Sequence, residues 1–257
     1  MDAFKLLLDS HARCRLFSGL LLATLLLVAG DLMAGVCDCK VAVDVGHATF
    51  APGATSARGK PEFEFNLDVG SLIHEELLKS GMSRSFMIIN PPSLKDRVRI
   101  AEERQADLLL SVHHDSVQPM FLRDWVYNNK HQKYSDAFQG YSILVSTKGF
   151  QYSNSLELAK MIGRHFRAAG FLPAYHHSKN VLGGRHNMID EELGIYQFDN
   201  LVVLKYTVMP AILIEFGVIV HRDEELRLQE PETRAKLVRG VVDGIEEFNA
   251  RFCLPRD

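Results

Sequence analysis

Three histidines and a glutamate stand where short apolar runs stop: VDVG leads into His47, LLLSV into the pair His113 and His114, and AILI into Glu215. A carboxylate at the end of such a run costs several kcal/mol to bury alone, so Glu215 needs a partner or a task. Two imidazoles plus a carboxylate, with one coordination position left for water, make the ligand set of a catalytic zinc ion. Glu62 or Glu64 in GKPEFEFN can supply a further ligand, at the start of a helix whose dipole favours an anion. The loop before them, ATFAPGATSARGK, is rich in glycine and small residues, which suits a chain that doubles back around an ion.

These residues gain meaning from the elements that carry them. KVAVDV, SFMIIN, DLLLSV, YSILVST, LVVLKY and AILIEFGV read as strands. Between them lie helical patterns: EFNLDVGSLIHEELLKS, LKDRVRIAEERQ opened by a capping pattern at Ser93 and Asp96, SLELAKMIGRHFRAA, and the closing PETRAKLVRGVVDGIEEFNARF. Strands separated by helices of this length imply βαβ units, hence an α/β single domain with a largely parallel sheet covered on both faces. Ligands of such sheets sit outside the carboxyl ends of the strands, the edge where His47, His113 and Glu215 all fall. Two stretches fit no element: an irregular insert at 116–140 with the single Trp125, and a long polar loop at 171–200, a length that usually covers a site or binds something.

Other histidines are weaker candidates. HEELL begins like a zinc helix but has Leu78 where the second histidine belongs, so it reads as a solvated face. His176 and His177 could be ligands, but they lie in the polar loop with no strand before them and read first as surface, then as substrate contacts and only last as metal ligands; Arg185 and His186 read the same way. There is no G-x-S-x-G elbow, dinucleotide fingerprint or P-loop. The 257 residues are 47% hydrophobic with a net charge of -3 and no basic run, which excludes nucleic acid as a partner.

The first 36 residues differ from the rest. Lys5, Arg13 and Arg15 precede the uncharged run Leu16–Gly30, shorter than the ~20 residues of a spanning helix and within reach of a secretory core of roughly 7–15. We read 1–36 as a signal peptide and 38–257 as the catalytic domain, exported to the periplasm or cell envelope with no membrane span in the mature chain. Cys37 or Cys39 bridged to Cys253 would tie the termini together in an oxidising compartment.

VDVGHATF, GATSARGKPEFEFNLDVG, DRVRIAEERQADLLLSVHHDS, GYSILVS and PAILIEFGVIVHRDEE, in this order, resemble the zinc-dependent N-acetylmuramoyl-L-alanine amidases from about Val41 to Phe248. Val45 and Ala48 stand where many members have proline and glycine, and Gly184 stands where an acidic residue is expected in close relatives. The resemblance implies a mixed sheet of about six strands, one zinc ion (Zn2+) held by His47, Glu62 and His113, and Glu215 as the catalytic carboxylate. The implied reaction is hydrolysis of the amide joining N-acetylmuramic acid to L-alanine in bacterial peptidoglycan during cell-wall remodelling. Peptidoglycan is then the partner, with a protein activator compatible with the sequence; the substrate-binding residues stay unassigned. Two other readings use the same residues: a zinc carboxypeptidase, which would need an arginine such as Arg185 to grip a carboxylate, and a non-catalytic cell-wall binding protein.

Overall fold

The computed structural model describes residues 38–252. The expected leader, Cys37 and Cys253 lie outside the described residues; Cys39 is buried.

Strand β1 (Val41–Val45) is buried at every residue, as its valines and alanine suit in a central strand of a parallel sheet, with Asp44 the one charged exception. It is followed by α1 (Glu62–Lys79), β2 (Phe86–Ile88), α2 (Leu94–Glu103) and β3 (Leu108–Asp115). The insert holds β4 (Arg123–Tyr127) and β5 (Lys130–Tyr134), and after it come β6 (Ser142–Val145) and α3 (Tyr152–Ala168). Strands β7 (Asn187–Asp190) and β8 (Ile195–Gln197), the short α4 (Val202–Lys205), β9 (Ala211–Val218), α5 (Arg222–Arg227) and α6 (Pro231–Phe252) complete the chain.

The main sheet has seven strands in the order β2-β1-β3-β9-β6-β8-β7. The first four are mutually parallel, β6 runs antiparallel to β9, and β7 antiparallel to β8, so the sheet is mixed. On one face Phe65, Ile73, Ile162, Phe166, Val241 and Ile245 pack α1, α3 and α6 together. On the other, Val98 and Ala101 of α2 and Val203 and Leu204 of α4 cover Ala42, Leu109 and Leu213.

Three expectations change. LVVLKY is not a strand: the sheet position beside β6 is taken by β8, and residues 202–205 form one helical turn that lays Val203 and Leu204 onto the sheet. Short apolar runs do not distinguish strand from helix by periodicity. The polar loop 171–200 supplies both β7 and β8, which brings the strand count to seven. The insert is a hairpin turned at Asn128 and Asn129, whose positive φ values of 50° and 58° match the twist of paired strands. Trp125 Nε1 donates to the Ala57 carbonyl at 2.9 Å, pinning the hairpin to the loop that leads into α1.

Candidate active site

The parallel pairing of β3 with β9 sets His113 opposite Glu215. Neighbouring strands lie about 4.8 Å apart, and residues in register point to one face. That face continues the one bearing Leu109 and Leu213. The adjacent His114 therefore turns to the opposite face, where it packs against Phe65 and Phe216. Burial pushes its imidazole down to about 3, so it is neutral. Its Nδ1 is 2.8 Å from Asn66 Oδ1, while the Asn66 amide donates to the Gly46 carbonyl and to Glu62 Oε1. Of the two adjacent histidines, only His113 faces the Glu62 carboxylate.

His47 arrives from β1 through a tight turn and itself has φ +65°. Arg97, buried on α2, holds that turn. Its guanidinium donates to Asp44 Oδ1 at 2.5 Å, to the Val45 carbonyl at 2.6 Å and to the His47 carbonyl at 2.5 Å. Asp44 is completely buried and also accepts from Ser111 Oγ at 2.7 Å. This clamp went unnoticed in the sequence, although a carboxylate inside VDV carries the same signal that Glu215 does.

Glu62 is the first residue of α1 and is buried, whereas Glu64 points to solvent. The Glu62 carboxylate bridges the histidines: Oε2 lies 2.9 Å from His47 Nε2 and Oε1 3.0 Å from His113 Nδ1. Backbone N–H groups of Ala54 and His114 donate to the same two oxygens at 3.0 and 3.3 Å. Burial by itself would raise the Glu62 carboxyl, but the hydrogen bonds from His113 and His47 outweigh it and hold the group well below the usual range. One donor atom from each of His47, Glu62 and His113 falls within 4.8 Å of the others, so these three could hold a metal ion.

The backbone around the cluster is shaped for that. A Cβ on Gly46 would lie 2.4 Å from His113 Nε2; one on Gly53, where φ is +80°, would lie 2.5 Å from Glu62 Oε2 and 2.6 Å from the His47 ring. The atoms that a Cβ would meet first all belong to the His47, Glu62 and His113 side chains. Gly53→Ala should therefore fold but bind zinc at least ~10-fold more weakly, at the low end of what disturbing a metal ligand's surroundings costs. Chelator competition measures it, and unchanged affinity would show that the cradle does not matter.

Glu215 is half-buried, but its Oε2 is shielded and has no hydrogen-bond partner. Burial first, then the charges of Asp115 and Glu62, push its carboxyl well above the ordinary range. Beside the cluster opens a cavity of about 370 Å³ lined by His47, His113, Phe50, Pro91, Leu201 and Val203. A larger groove of about 850 Å³, between α1 and α6, contains none of the four residues. Arg185 is exposed and lines neither.

Comparison with known proteins identifies the family. The model of the N-acetylmuramoyl-L-alanine amidase family matches residues 41–247. The amidase LytC of Bacillus subtilis is 27% identical over 228 residues, covering 86% of this chain and 38% of its own length. Haemophilus influenzae AmiB is 23% identical, covering 82% and 52%. The chain thus spans about half or less of the curated relatives it matches. The crystal structure of the amidase Ami1 from Mycobacterium smegmatis shares the fold with a TM-score of 0.65 at 19% identity, over 84% of this chain and 99% of that one. With the family's pattern matched from β1 nearly to the end of α6, the chain belongs to the N-acetylmuramoyl-L-alanine amidase family.

Proposed function

We propose that this protein hydrolyses the amide between the lactyl group of N-acetylmuramic acid and L-alanine in peptidoglycan, with His47, Glu62 and His113 holding one zinc ion and Glu215 moving the proton. The observation that carries the reading is the convergence of two imidazoles and a carboxylate, in a glycine-lined cradle, on the strand edge where Glu215 presents an unpartnered oxygen. This donor set suits zinc. When bound, zinc supplies Lewis acidity at the scissile carbonyl and makes water a better acid.

The chain's own residues do the rest. Glu215 Oε2 takes a proton from the attacking water and delivers it to the departing amine of L-alanine. Burial and the charges of Asp115 and Glu62 raise its affinity for protons, which suits it to keep the transferred proton between the two steps, and a cation held by His47 and His113 would favour its ionised form before them. Arg97 fixes the His47 backbone, and Ala54 N–H and His114 N–H orient the Glu62 carboxylate. The apolar cavity beside His47 and His113 is the place for the substrate.

Digestion of purified peptidoglycan followed by mass spectrometry tests this reading. Free stem peptides are expected; shortened peptides would indicate a carboxypeptidase and an unchanged wall a binding protein. Arg185, the arginine a carboxypeptidase would need, does not line the cavity at His47, which favours the amidase. For the ligand set, Glu62→Ala should bind zinc at least ~10-fold more weakly and Glu64→Ala should be unaffected. The reverse pattern would overturn the assignment.

Export is part of the same proposal. It rests on the basic residues and apolar run before Gly30. Among the described residues no helix is long and apolar enough to cross a membrane. N-terminal sequencing of protein from the producing cell should start between about Asp31 and Asp38; an intact Met1 would refute it.

A further inference from the structure

A second cluster lies just beyond His113. Asp115 ends β3, where the register against β9 shifts, and His176 and His177 reach it from the segment after α3. Asp115 Oδ2 lies 3.0 Å from His176 Nε2 and 2.5 Å from His177 Nε2. One donor atom from each of the three falls within 4.8 Å of the others. The other carboxylate oxygen, Oδ1, accepts from the Ser116 N–H at 2.7 Å, which orients the group with Oδ2 toward the two rings. Gln118 Nε2 donates to the His176 carbonyl at 2.5 Å and anchors the histidine pair.

An ordinary carboxylate–imidazole hydrogen bond accounts for His177, which is partly exposed. It does not account for His176. That side chain has no exposure at all, and neither Nδ1 nor Nε2 makes a hydrogen bond, despite the approach of Nε2 to Asp115. A neutral imidazole has one donor and one acceptor, and leaving such a group unmet in the interior costs about 1–3 kcal/mol. Three donor atoms converging on one point, with His176 Nε2 otherwise orphaned among them, is a pattern that a cation resolves at that nitrogen, while His176 Nδ1 is unpartnered with or without it.

We propose that the protein binds a second divalent metal ion through Asp115, His176 and His177, separate from the ion at His47, Glu62 and His113. Two nitrogens and one oxygen select a late first-row ion such as zinc; calcium and magnesium take oxygen ligands. With bonds of ~2.0–2.2 Å in tetrahedral array, ligand atoms stand ~3.3–3.6 Å apart, a spacing that small movements of these side chains reach. The exposed side of His177 gives the ion its entry path. This site does not depend on the hydrolytic reading, since its ligands are different residues.

The test is metal counting. Purified protein, stripped with a chelator and dialysed against zinc chloride, is analysed for ions per chain by mass spectrometry. Two are expected in the wild type, one in His47→Ala, one in the double variant Asp115→Asn with His177→Ala, and none when all three changes are combined. One ion in the wild type, or two retained in the double variant, overturns the second site. Loss of the sole ion on His47→Ala likewise counts against it, whereas two ions kept by His47→Ala would count against the first site and leave the second standing. Should the double variant fail to fold by circular dichroism, cobalt chloride titrated into the His47→Ala protein decides. Visible d–d absorption saturating at one equivalent supports the site, and no absorption rejects it.

Discussion

Glu215→Gln should fold, keep its zinc and lose at least ~10²-fold in rate, the low end for removing a positioned general base. The amide keeps the shape of the carboxylate and leaves His47, Glu62 and His113 untouched, so metal content should stay at the wild-type level. The unpartnered Oε2 strengthens the expectation, because a side chain that merely satisfied backbone donors would have both oxygens bonded. Removing a buried charge with raised proton affinity should also leave stability unchanged or slightly higher. A purely structural role predicts the opposite pair of results, a less stable variant with normal turnover per folded molecule. Rate and melting temperature measured on one zinc-replete preparation separate the two, and full activity there would sink the mechanism.

Arg97→Met should destabilise the fold by about 3–5 kcal/mol, the usual cost of removing one partner from a buried ion pair. That is a large share of the ~5–15 kcal/mol that holds a domain together. Asp44, with no exposure, would keep only the Ser111 hydroxyl, and the Val45 and His47 carbonyls would lose their donor. Urea unfolding measures the loss, and a change under 1 kcal/mol would mean that water replaces the guanidinium. Adding Asp44→Asn to the variant should recover part of the stability, since the uncompensated charge is gone, but should not restore zinc affinity, because the His47 carbonyl is still unclamped. That split between stability and metal binding marks Arg97 as a positioning residue.

His47, His113 and Glu215 were legible in the sequence because each polar group interrupts an apolar run near the carboxyl edge of the sheet, although β9 continues past Glu215 to Val218, so that His113 and Glu215 meet within the ladder and not at two strand ends. The partner of Asp44 was not legible, since Arg97 lies 53 residues further on, in a helix that the strand pattern does not connect to it. The strands β7 and β8 escaped because NMID and IYQ are short and no residue of the former is buried, which leaves no alternation to see. His176 was hidden for a different reason. Its neighbours are polar, so composition suggested a wet loop, and only the three-dimensional packing reveals a ring with no exposure.

The parallel pairing of β3 with both β1 and β9 also bears on how the chain comes to be folded. Parallel neighbours cannot be joined by a tight turn, so each pairing closes a long stretch of chain and delays its own reward in contacts. His113 and Glu62 are 51 residues apart, and Glu215 joins only when β9 docks. Only His47 and Glu62 are joined by a short loop, and neither is near His113 or Glu215 until the strands pair, so the unfolded chain and any half-assembled intermediate offer an ion an incomplete set of ligands. Metal uptake at this site would then report completion of the central sheet, and mass action would draw the chain toward its native state in proportion to the free ion around it.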